Sequence, residues 1–165
     1  GFVKAQAPPA RTPDVYFAGT PQRIVSAMLR LAQVTPDDVV YDLGSGDGRI
    51  VIQAAQEFGA RGVGIELEPR LIEIARHVAR EAGVADRVTF VEGDFFTADL
   101  SEATVVMLFL SSAVNARLEP KLKSELRSNA RIVSRQFPIG SWVPDVTFRP
   151  EPGAADLFLW TIRPR

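Results

Sequence analysis

The segment 39–52 constrains the fold of this chain most, because it combines the signals of a buried strand, a glycine-rich turn and the start of a helix. Its sequence is Val-Val-Tyr-Asp-Leu-Gly-Ser-Gly-Asp-Gly-Arg-Ile-Val-Ile. The three glycines let the backbone adopt positive φ and approach a ligand closely, and the helix that follows offers unpaired N–H groups in its first turn. The segment therefore predicts a nucleotide-like cofactor bound at a strand–turn–helix unit.

The spacing of the glycines argues against a cofactor that contains pyrophosphate. In the dinucleotide fingerprint G-x-G-x-x-G the third glycine would fall at position 49, where this chain has Arg49. Gly48 comes one residue early. The acidic Asp42, which precedes the first glycine, would repel a pyrophosphate and suits a ligand with positive charge.

Further acids follow the next two predicted strands. A second strand is predicted over 62–66 and ends in Glu66, 22 residues after the first glycine of the loop, near the spacing of about 20 at which a carboxylate binds a ribose. A third strand is predicted over 88–92 and leads into Asp94 and Phe95. A single acid at such a place is more often a solvated loop residue or a helix cap. Three acids at successive strand ends together predict a nucleoside site.

Composition limits the other classes of function. With 165 residues, 46% of them hydrophobic, the chain is long enough for one domain with a full core. Nineteen basic and 20 acidic residues give a net charge of −1, so nucleic acid is not expected as a partner. No apolar run approaches the ~20 residues that span a bilayer. Without cysteine, and with His77 as the one histidine, the sequence predicts no disulfide, no thiolate chemistry and no metal site.

The first residues of the chain differ in composition from the rest. We expect a disordered tail over 1–14, rich in proline and alanine, and a single domain over 15–165. The sequence Ala-Gln-Ala at 5–7 resembles the end of a secretory signal, but the charged and apolar regions that should precede it are absent. We expect a cytoplasmic monomer, with an exported form as the alternative if this tail is the remnant of a signal.

Hydrophobic periodicity predicts alternating β/α units that end in a hairpin. A nearly continuous apolar run over 104–110 predicts a central strand that is covered on both faces. The last two strands are too close in sequence for a crossover helix, so they should pair antiparallel. Besides those given above, strands are predicted over 130–134, 146–148 and 157–162, and helices from Thr20–Pro21 with the threonine as cap, over 50–58, from Pro69 to Gly83 and over 115–126.

The glycine loop, its leading acid and the two acids after the following strands resemble the motifs of the class I S-adenosylmethionine-dependent methyltransferases. That cofactor carries a sulfonium and an ammonium but no phosphate. The resemblance implies an α/β fold, a Rossmann-like doubly wound sheet of seven strands in the order 3-2-1-4-5-7-6 with an antiparallel C-terminal hairpin. It further implies that Asp42 and the carbonyl of Gly44 receive the ammonium, while Asp94 and Phe95 hold adenine. The expected cofactor-binding residues are Thr20, Asp42, Gly44, Ser45, Gly46, Gly48, Glu66, Leu67, Asp94 and Phe95, and the expected product is S-adenosyl-L-homocysteine.

Three more segments narrow the resemblance. They are Val-Tyr-Phe-Ala-Gly-Thr-Pro at 15–21, Phe-Leu-Ser-Ser-Ala-Val-Asn at 109–115, and the run 131–142 that begins Arg-Ile-Val-Ser. With the glycine loop they are similar to the compact archaeal and bacterial protein lysine methyltransferases related to the mitochondrial enzymes that methylate the ATP synthase c-subunit. No Asn-Pro-Pro-Tyr follows the fourth strand, which counts against methylation of adenine or of a glutamine amide.

The resemblance implies transfer of a methyl group to a lysine ε-amine of a protein substrate by in-line displacement. Placement of the nitrogen, methyl carbon and sulfur on one line supplies most of the acceleration in such a reaction. An apolar, aromatic entrance would disfavour the ammonium form of the lysine. The residues expected at this entrance or beside the transferred methyl are Tyr16, Leu110, Ser111, Phe137 and Trp142, with ordinary core packing as the alternative for the aromatic members.

Two other functions remain open on the same motifs. The site could methylate a small metabolite, in which case a narrow tunnel is expected rather than an open groove. The domain could also bind the cofactor without catalysis and act as a sensor or partner module. A dehydrogenase is disfavoured because Arg49 replaces the third glycine of the dinucleotide fingerprint.

Overall fold

One sheet of seven strands runs through the computed structural model, which describes residues 19–165. The strands are β1 (Val39–Leu43), β2 (Arg61–Glu66), β3 (Val88–Glu92), β4 (Val105–Leu108), β5 (Arg131–Arg135), β6 (Val146–Phe148) and β7 (Leu157–Thr161). They lie in the order β3-β2-β1-β4-β5-β7-β6. Strands β1 to β5 are parallel, whereas β7 is antiparallel to both β5 and β6. The expected strand order and the antiparallel hairpin are therefore confirmed.

Helices cover both faces of the sheet within residues 19–165. They are α1 (Gln22–Leu31), α2 (Arg49–Phe58), α3 (Pro69–Glu81) and α4 (Ser112–Glu125). On one face Met28 of α1 and Ala54 of α2 share a buried cluster with Val40 of β1, and α3 packs beside α2. On the other face Leu118 of α4 lies in a cluster with Ile132 of β5. The apolar central strands are thus buried from both sides, as parallel strands require.

The start of α1 differs from the prediction that Thr20 caps the helix. Pro21 is the N-cap residue, with no side-chain capping hydrogen bond, and its carbonyl accepts from the N–H groups of Ile24 and Val25. The hydroxyl of Thr20 instead accepts a hydrogen bond from Nη1 of Arg135 over 3.1 Å. The cap prediction was wrong because the helix begins one residue later, after Pro21, and the threonine hydroxyl contacts an arginine 115 residues away in the chain.

The connection from β4 to α4 is shorter than predicted. The strand expected over 104–110 ends at Leu108, and α4 begins three residues before the predicted residue 115. The cause is Ser111, whose Oγ accepts the N–H of Val114 over 3.2 Å and so satisfies a first-turn donor of the helix.

The carboxyl ends of β1 to β5 meet at one edge of the sheet, which we call the carboxyl edge. In open α/β sheets ligands bind outside this edge, where the strand order changes direction. Here the order changes between β1 and β4, which are neighbours in the sheet but not in the chain. No helix within residues 19–165 is long and apolar enough to cross a membrane. The predicted tail over 1–14 and Tyr16 lie outside the described residues.

Candidate functional site

The glycine loop between β1 and α2 leaves open space above the carboxyl edge. Gly44 and Gly46 have φ values of 79° and 55°, which side chains rarely tolerate. A Cβ atom added to Gly46 would meet nothing within 4 Å. One added to Gly44 would lie 3.4 Å from Cδ2 of Leu110 and 3.8 Å from Cε1 of Phe95. The loop therefore brings together residues from the ends of β1, β3 and β4 around an unfilled space.

Gly48 has a different role from the one predicted. Its φ is 81°, and a Cβ atom there would lie 2.6 Å from the Phe90 ring and 2.9 Å from Cβ of Ala75. The missing side chain thus faces β3 and α3 rather than the open space. Gly48 is required because α2 begins in close contact with its neighbours, and the expectation that it lets a ligand approach is not supported by this geometry.

Asp42 is a buried acid on β1, and it is 4% exposed. Its carboxyl group forms no hydrogen bond with another of residues 19–165. Burial raises its pKa well above the usual 3.8, and the charges of Glu66 and Asp47 raise it further. A buried group of this kind gains most from a cation placed against it, because the cation offsets the cost of burying the charged form.

Glu66, the last residue of β2, is held by three backbone donors. Its Oε1 accepts the N–H of Gly46 over 2.9 Å, and its Oε2 accepts those of Leu67 and Glu68 over 2.9 and 3.0 Å. A carboxylate can accept about four hydrogen bonds, so one remains free on Oε1. The acid that spacing predicted is thus fixed in direction by the glycine loop.

The hydroxyl of Ser45 is buried and has no hydrogen-bond partner within residues 19–165. It packs over Gly64, where a Cβ atom would come within 2.5 Å of Oγ. Gly64 pairs with Asp42 across β1 and β2, so the hydroxyl lies over the same part of the sheet. An orphaned donor beside a buried acid indicates a site built for a polar ligand.

The end of β3 carries the residues predicted to hold a base. Asp94 is exposed, and its Oδ1 accepts the N–H of Phe96 over 2.8 Å. Phe95 is half-buried and packs on Phe96 with ring centroids 4.9 Å apart. Leu67, after β2, is 64% exposed. This corner offers an acid and apolar surface side by side.

The residues after β4 and β5 are joined by a buried asparagine that the sequence pattern did not identify. Asn115 is fully buried, and its Nδ2 donates to the carbonyls of Phe137 and Pro138 over 3.0 and 3.4 Å. It fixes the half-buried Phe137 next to the start of α4, which follows Leu110 and Ser111. Only the tertiary contact reveals this role, because the asparagine lies at an ordinary helix position.

Trp142 is not brought to the carboxyl edge. Its ring lies 4.7 Å from Nζ of Lys123, in the last turn of α4, and its carbonyl accepts from Nε1 of Trp160 over 3.0 Å. Because α4 begins at the carboxyl edge, about 18 Å of helix separate Lys123, which this tryptophan contacts, from Ser111. The predicted place of Trp142 at the acceptor entrance is therefore wrong in this structure, and packing against the core is its role.

Thr20, predicted as a cofactor residue, lies between two arginines that the sequence pattern did not identify as site residues. It is 3% exposed, and its carbonyl accepts from Nη1 of Arg49 over 3.2 Å while its hydroxyl accepts from Arg135. Arg49 also contacts both carboxylate oxygens of Asp47, the closest contact being 2.7 Å. The segment before α1 is thereby attached to the glycine loop and to the end of β5.

The sequence model of the family described as the ANTKMT methyltransferase domain matches residues 42–146, from Asp42 to β6. The chain belongs to this methyltransferase family. A relative in Saccharolobus islandicus (strain REY15A), named protein-lysine N-methyltransferase, is 44% identical over 86% of this chain and 88% of its own length. The adenine nucleotide translocase lysine N-methyltransferase of Mus musculus is 40% identical over 79% of this chain, which spans 57% of that relative's length.

A solved structure extends the comparison to the cofactor. It is described as an RNA methyltransferase from Salinibacter ruber in complex with S-adenosyl-L-homocysteine, with a TM-score of 0.86 and 52% identity over 89% of this chain and 95% of that one. This methyltransferase therefore uses S-adenosylmethionine, and the expected family, fold and cofactor are confirmed.

The described residues fit S-adenosylmethionine. The buried carboxyl of Asp42, which has no partner among residues 19–165, would suit the cofactor's ammonium, and the open space above Gly46 would suit its methionyl chain. The orphaned hydroxyl of Ser45 provides a further polar group. When bound, the cofactor supplies a methyl group on a positively charged sulfur.

Proposed function

We propose that this methyltransferase acts on the ε-amine of a lysine in a protein substrate. The observation that carries the proposal is the 44% identity, over 86% of the chain, to the relative named protein-lysine N-methyltransferase. The apolar surroundings of Gly44, formed by Leu110 and Phe95, support it. Lysine has a reference pKa of about 10.4, and an apolar boundary favours the neutral amine that reacts.

In this proposal three acids at the carboxyl edge each bind a different group of the cofactor. Asp42 binds the ammonium, because it is a buried carboxyl that no other residue of the described chain contacts by a hydrogen bond. Glu66 binds the ribose hydroxyls through the free position on Oε1. Asp94 accepts from the exocyclic amine of adenine, and the ring is covered by Phe95 and by Leu67, whose 64% exposure leaves apolar surface for it.

The protein accelerates transfer mainly through placement. Holding the amine nitrogen in line with the methyl carbon and sulfur corresponds to an effective molarity of order 10^5 M or more. The leaving thioether is neutral, so it needs no acid. Leu110, Ser111 and Phe137 would direct the amine, since Leu110 and Ser111 follow β4, the neighbour of β1, and Phe137 follows β5, the next strand in the sheet. Tyr16 is proposed for the same entrance.

Methylation of RNA is a second candidate, because the solved structure at 52% identity is described as an RNA methyltransferase. Two features of the chain count against it. Its net charge of −1 gives no general field for a phosphate backbone. The segment after β4, which begins Phe109-Leu110-Ser111, lacks the Asn-Pro-Pro-Tyr typical of enzymes that methylate adenine.

One experiment separates these acceptors. The purified protein is incubated with S-adenosylmethionine carrying a radioactive methyl group and with cell extract, and the products are digested in parallel with ribonuclease and with protease. We expect protease-sensitive label that appears as methylated lysine after acid hydrolysis. Label that only ribonuclease releases supports RNA, and label confined to small molecules supports a metabolite. A protein that binds the cofactor but transfers no label would be a binding module.

The same preparation tests the proposed oligomeric state, and we expect a monomer in gel filtration. We also propose a cytoplasmic location, because the cofactor is made in that compartment; fractionation of cells tests this proposal. Asp42→Asn is the matched inactive control, since it changes one oxygen of the proposed ammonium site to nitrogen. Arg23→Gln is the matched surface control for the labelling assay, because Arg23 lies on the exposed side of α1 and pairs there with Glu151.

A further inference from the structure

Arg135 brings a positive charge to the carboxyl edge, and no carboxylate of residues 19–165 pairs with it. It is the half-buried last residue of β5, and its guanidinium lies over the Phe109 ring, 4.5 Å from the centroid. Its Nη1 donates to the hydroxyl of Thr20 over 3.1 Å. Within residues 19–165 it forms no ion pair, and burial lowers its pKa.

The other cations near Arg135 are already paired. Arg49, which also contacts Thr20, has its charge compensated by Asp47 at 2.7 Å. Arg23 lines a cavity of about 310 Å³ together with Arg135, but it pairs with Glu151 at 2.8 Å. Among the described residues, Arg135 is therefore the cation at the Thr20 contact whose charge no carboxylate compensates.

The cofactor brings an anion to this edge as well as two cations. Its methionyl end carries a carboxylate next to the ammonium, and the acids Asp42 and Glu66 at this edge would repel that carboxylate, whereas Asp47 is already paired with Arg49. A cation close to the carboxylate is needed to offset this repulsion. A guanidinium suits the task because it donates hydrogen bonds in a planar fork that matches a carboxylate.

We propose that Arg135, together with the hydroxyl of Thr20, binds the carboxylate of S-adenosylmethionine. The oxygen of this hydroxyl accepts from Arg135, so its own proton is free to donate to the ligand. Asp42 and Arg135 then recognise the two opposite charges of the methionyl end from β1 and from β5. This assignment concerns the cofactor alone and holds whichever acceptor the enzyme uses.

Calorimetric binding of two ligands tests the proposal without any turnover. The ligands are S-adenosylhomocysteine and its decarboxylated analogue, which lacks only the carboxylate. We expect the wild type to bind S-adenosylhomocysteine about 10- to 100-fold more tightly than the analogue. In Arg135→Gln we expect this ratio to fall to within about threefold of unity, because the affinity for S-adenosylhomocysteine drops and that for the analogue does not.

Two variants complete the design. Arg135→Lys keeps the charge but not the fork, and it should retain part of the preference for the carboxylate. Arg23→Gln, in the same cavity, should keep the full preference. The proposal is overturned if Arg135→Gln keeps the wild-type ratio, or if it weakens both ligands equally, which would indicate a structural role. It is also overturned if both affinities are kept while KM for the acceptor rises.

Discussion

The backbone N–H of Gly46 donates to Oε1 of Glu66 over 2.9 Å and so joins the glycine loop to the end of β2. The other carboxylate oxygen accepts from two backbone donors of the segment after β2. Glu66 is therefore held in one orientation before the ribose arrives, and binding does not have to supply the free energy of ordering it.

Replacement of this carboxylate should weaken cofactor binding. In Glu66→Ala we expect the affinity for S-adenosylhomocysteine to fall by about 1–3 kcal/mol, the usual cost of leaving polar partners unpaired. Calorimetric titration measures it directly. Glu73→Ala is the control, because Glu73 is exposed on α3 and away from the loop. Unchanged affinity in Glu66→Ala would contradict the ribose assignment.

Asp42 should reduce the stability of the cofactor-free protein while it supports binding. Burial, followed by the charges of Glu66 and Asp47, raises its pKa in the folded state. Between its unfolded pKa, about 3.9, and the folded value the native state holds the extra proton, so stability falls as the pH rises through that interval. We expect Asp42→Asn to raise the Tm of the cofactor-free protein at pH 7.

The same substitution should weaken binding, because an amide does not attract the ammonium of the cofactor. Wild-type affinity for S-adenosylhomocysteine should rise with pH as Asp42 ionises, and this rise should be absent in Asp42→Asn. Thermal melts with and without ligand at pH 5, 6 and 7 measure both effects. A lower Tm in the variant together with an unchanged affinity would be the opposite of this expectation.

At the amino end of the sheet an ion pair between Arg131 and Asp38 stabilises the fold. Arg131 donates from Nη1 and Nη2 to the two carboxylate oxygens of Asp38 over 3.0 and 2.9 Å, and Thr104 donates to the same carboxylate over 2.7 Å. Burial alone would raise the pKa of Asp38, but these hydrogen bonds outweigh it and lower the pKa. Their contribution is therefore present above pH 4 and is lost as the pH falls through the folded pKa.

We expect Arg131→Met to lower the free energy of unfolding at pH 7 by about 2–4 kcal/mol, because it leaves a buried carboxylate unpaired. Urea unfolding measures the change. The matched control is Arg149→Met, which breaks an exposed pair with Asp156 and should cost less than about 1 kcal/mol. Equal losses in the two variants would show that the buried pair contributes no more to the free energy of unfolding than the exposed pair.

How much of the site could be predicted depended on the range of the contacts involved. Asp42, in the last two residues of β1, and Glu66, at the end of β2, were predicted to lie at the carboxyl edge from local pattern and the topology of parallel strands, and the structure places them there. Arg135 was not considered, since its position depends on contacts with Thr20 and Phe109 that are distant in sequence.

Trp142 illustrates the opposite error. Its segment follows β5, and the sequence therefore placed it at the carboxyl edge. Asn115 instead binds the carbonyls of Phe137 and Pro138, and the chain then runs back along α4 until the carbonyl of Trp142 meets Trp160. No local signal predicts that direction, because it results from side-chain hydrogen bonds between separate elements.

The glycines of the loop should respond differently to the same substitution. Gly48→Ala places a Cβ atom 2.6 Å from the Phe90 ring, in a position that already requires a φ of 81°. We expect it to lower the free energy of unfolding by more than about 3 kcal/mol, through overpacking and backbone strain together. Gly46→Ala meets nothing within 4 Å, so its loss should be limited to the strain of positive φ, about 1–2 kcal/mol.

For cofactor binding we expect the opposite order: Gly46→Ala should lose more affinity than Gly48→Ala. The added methyl group of Gly46→Ala enters the open space that the methionyl chain requires, so its affinity for S-adenosylhomocysteine should fall at least about tenfold. The folded fraction of Gly48→Ala should bind nearly as well as the wild type, since its methyl group faces the core. Urea unfolding and calorimetric titration at 10 °C measure the two quantities separately. A Gly46→Ala variant that binds normally would mean that the cofactor does not lie over this glycine.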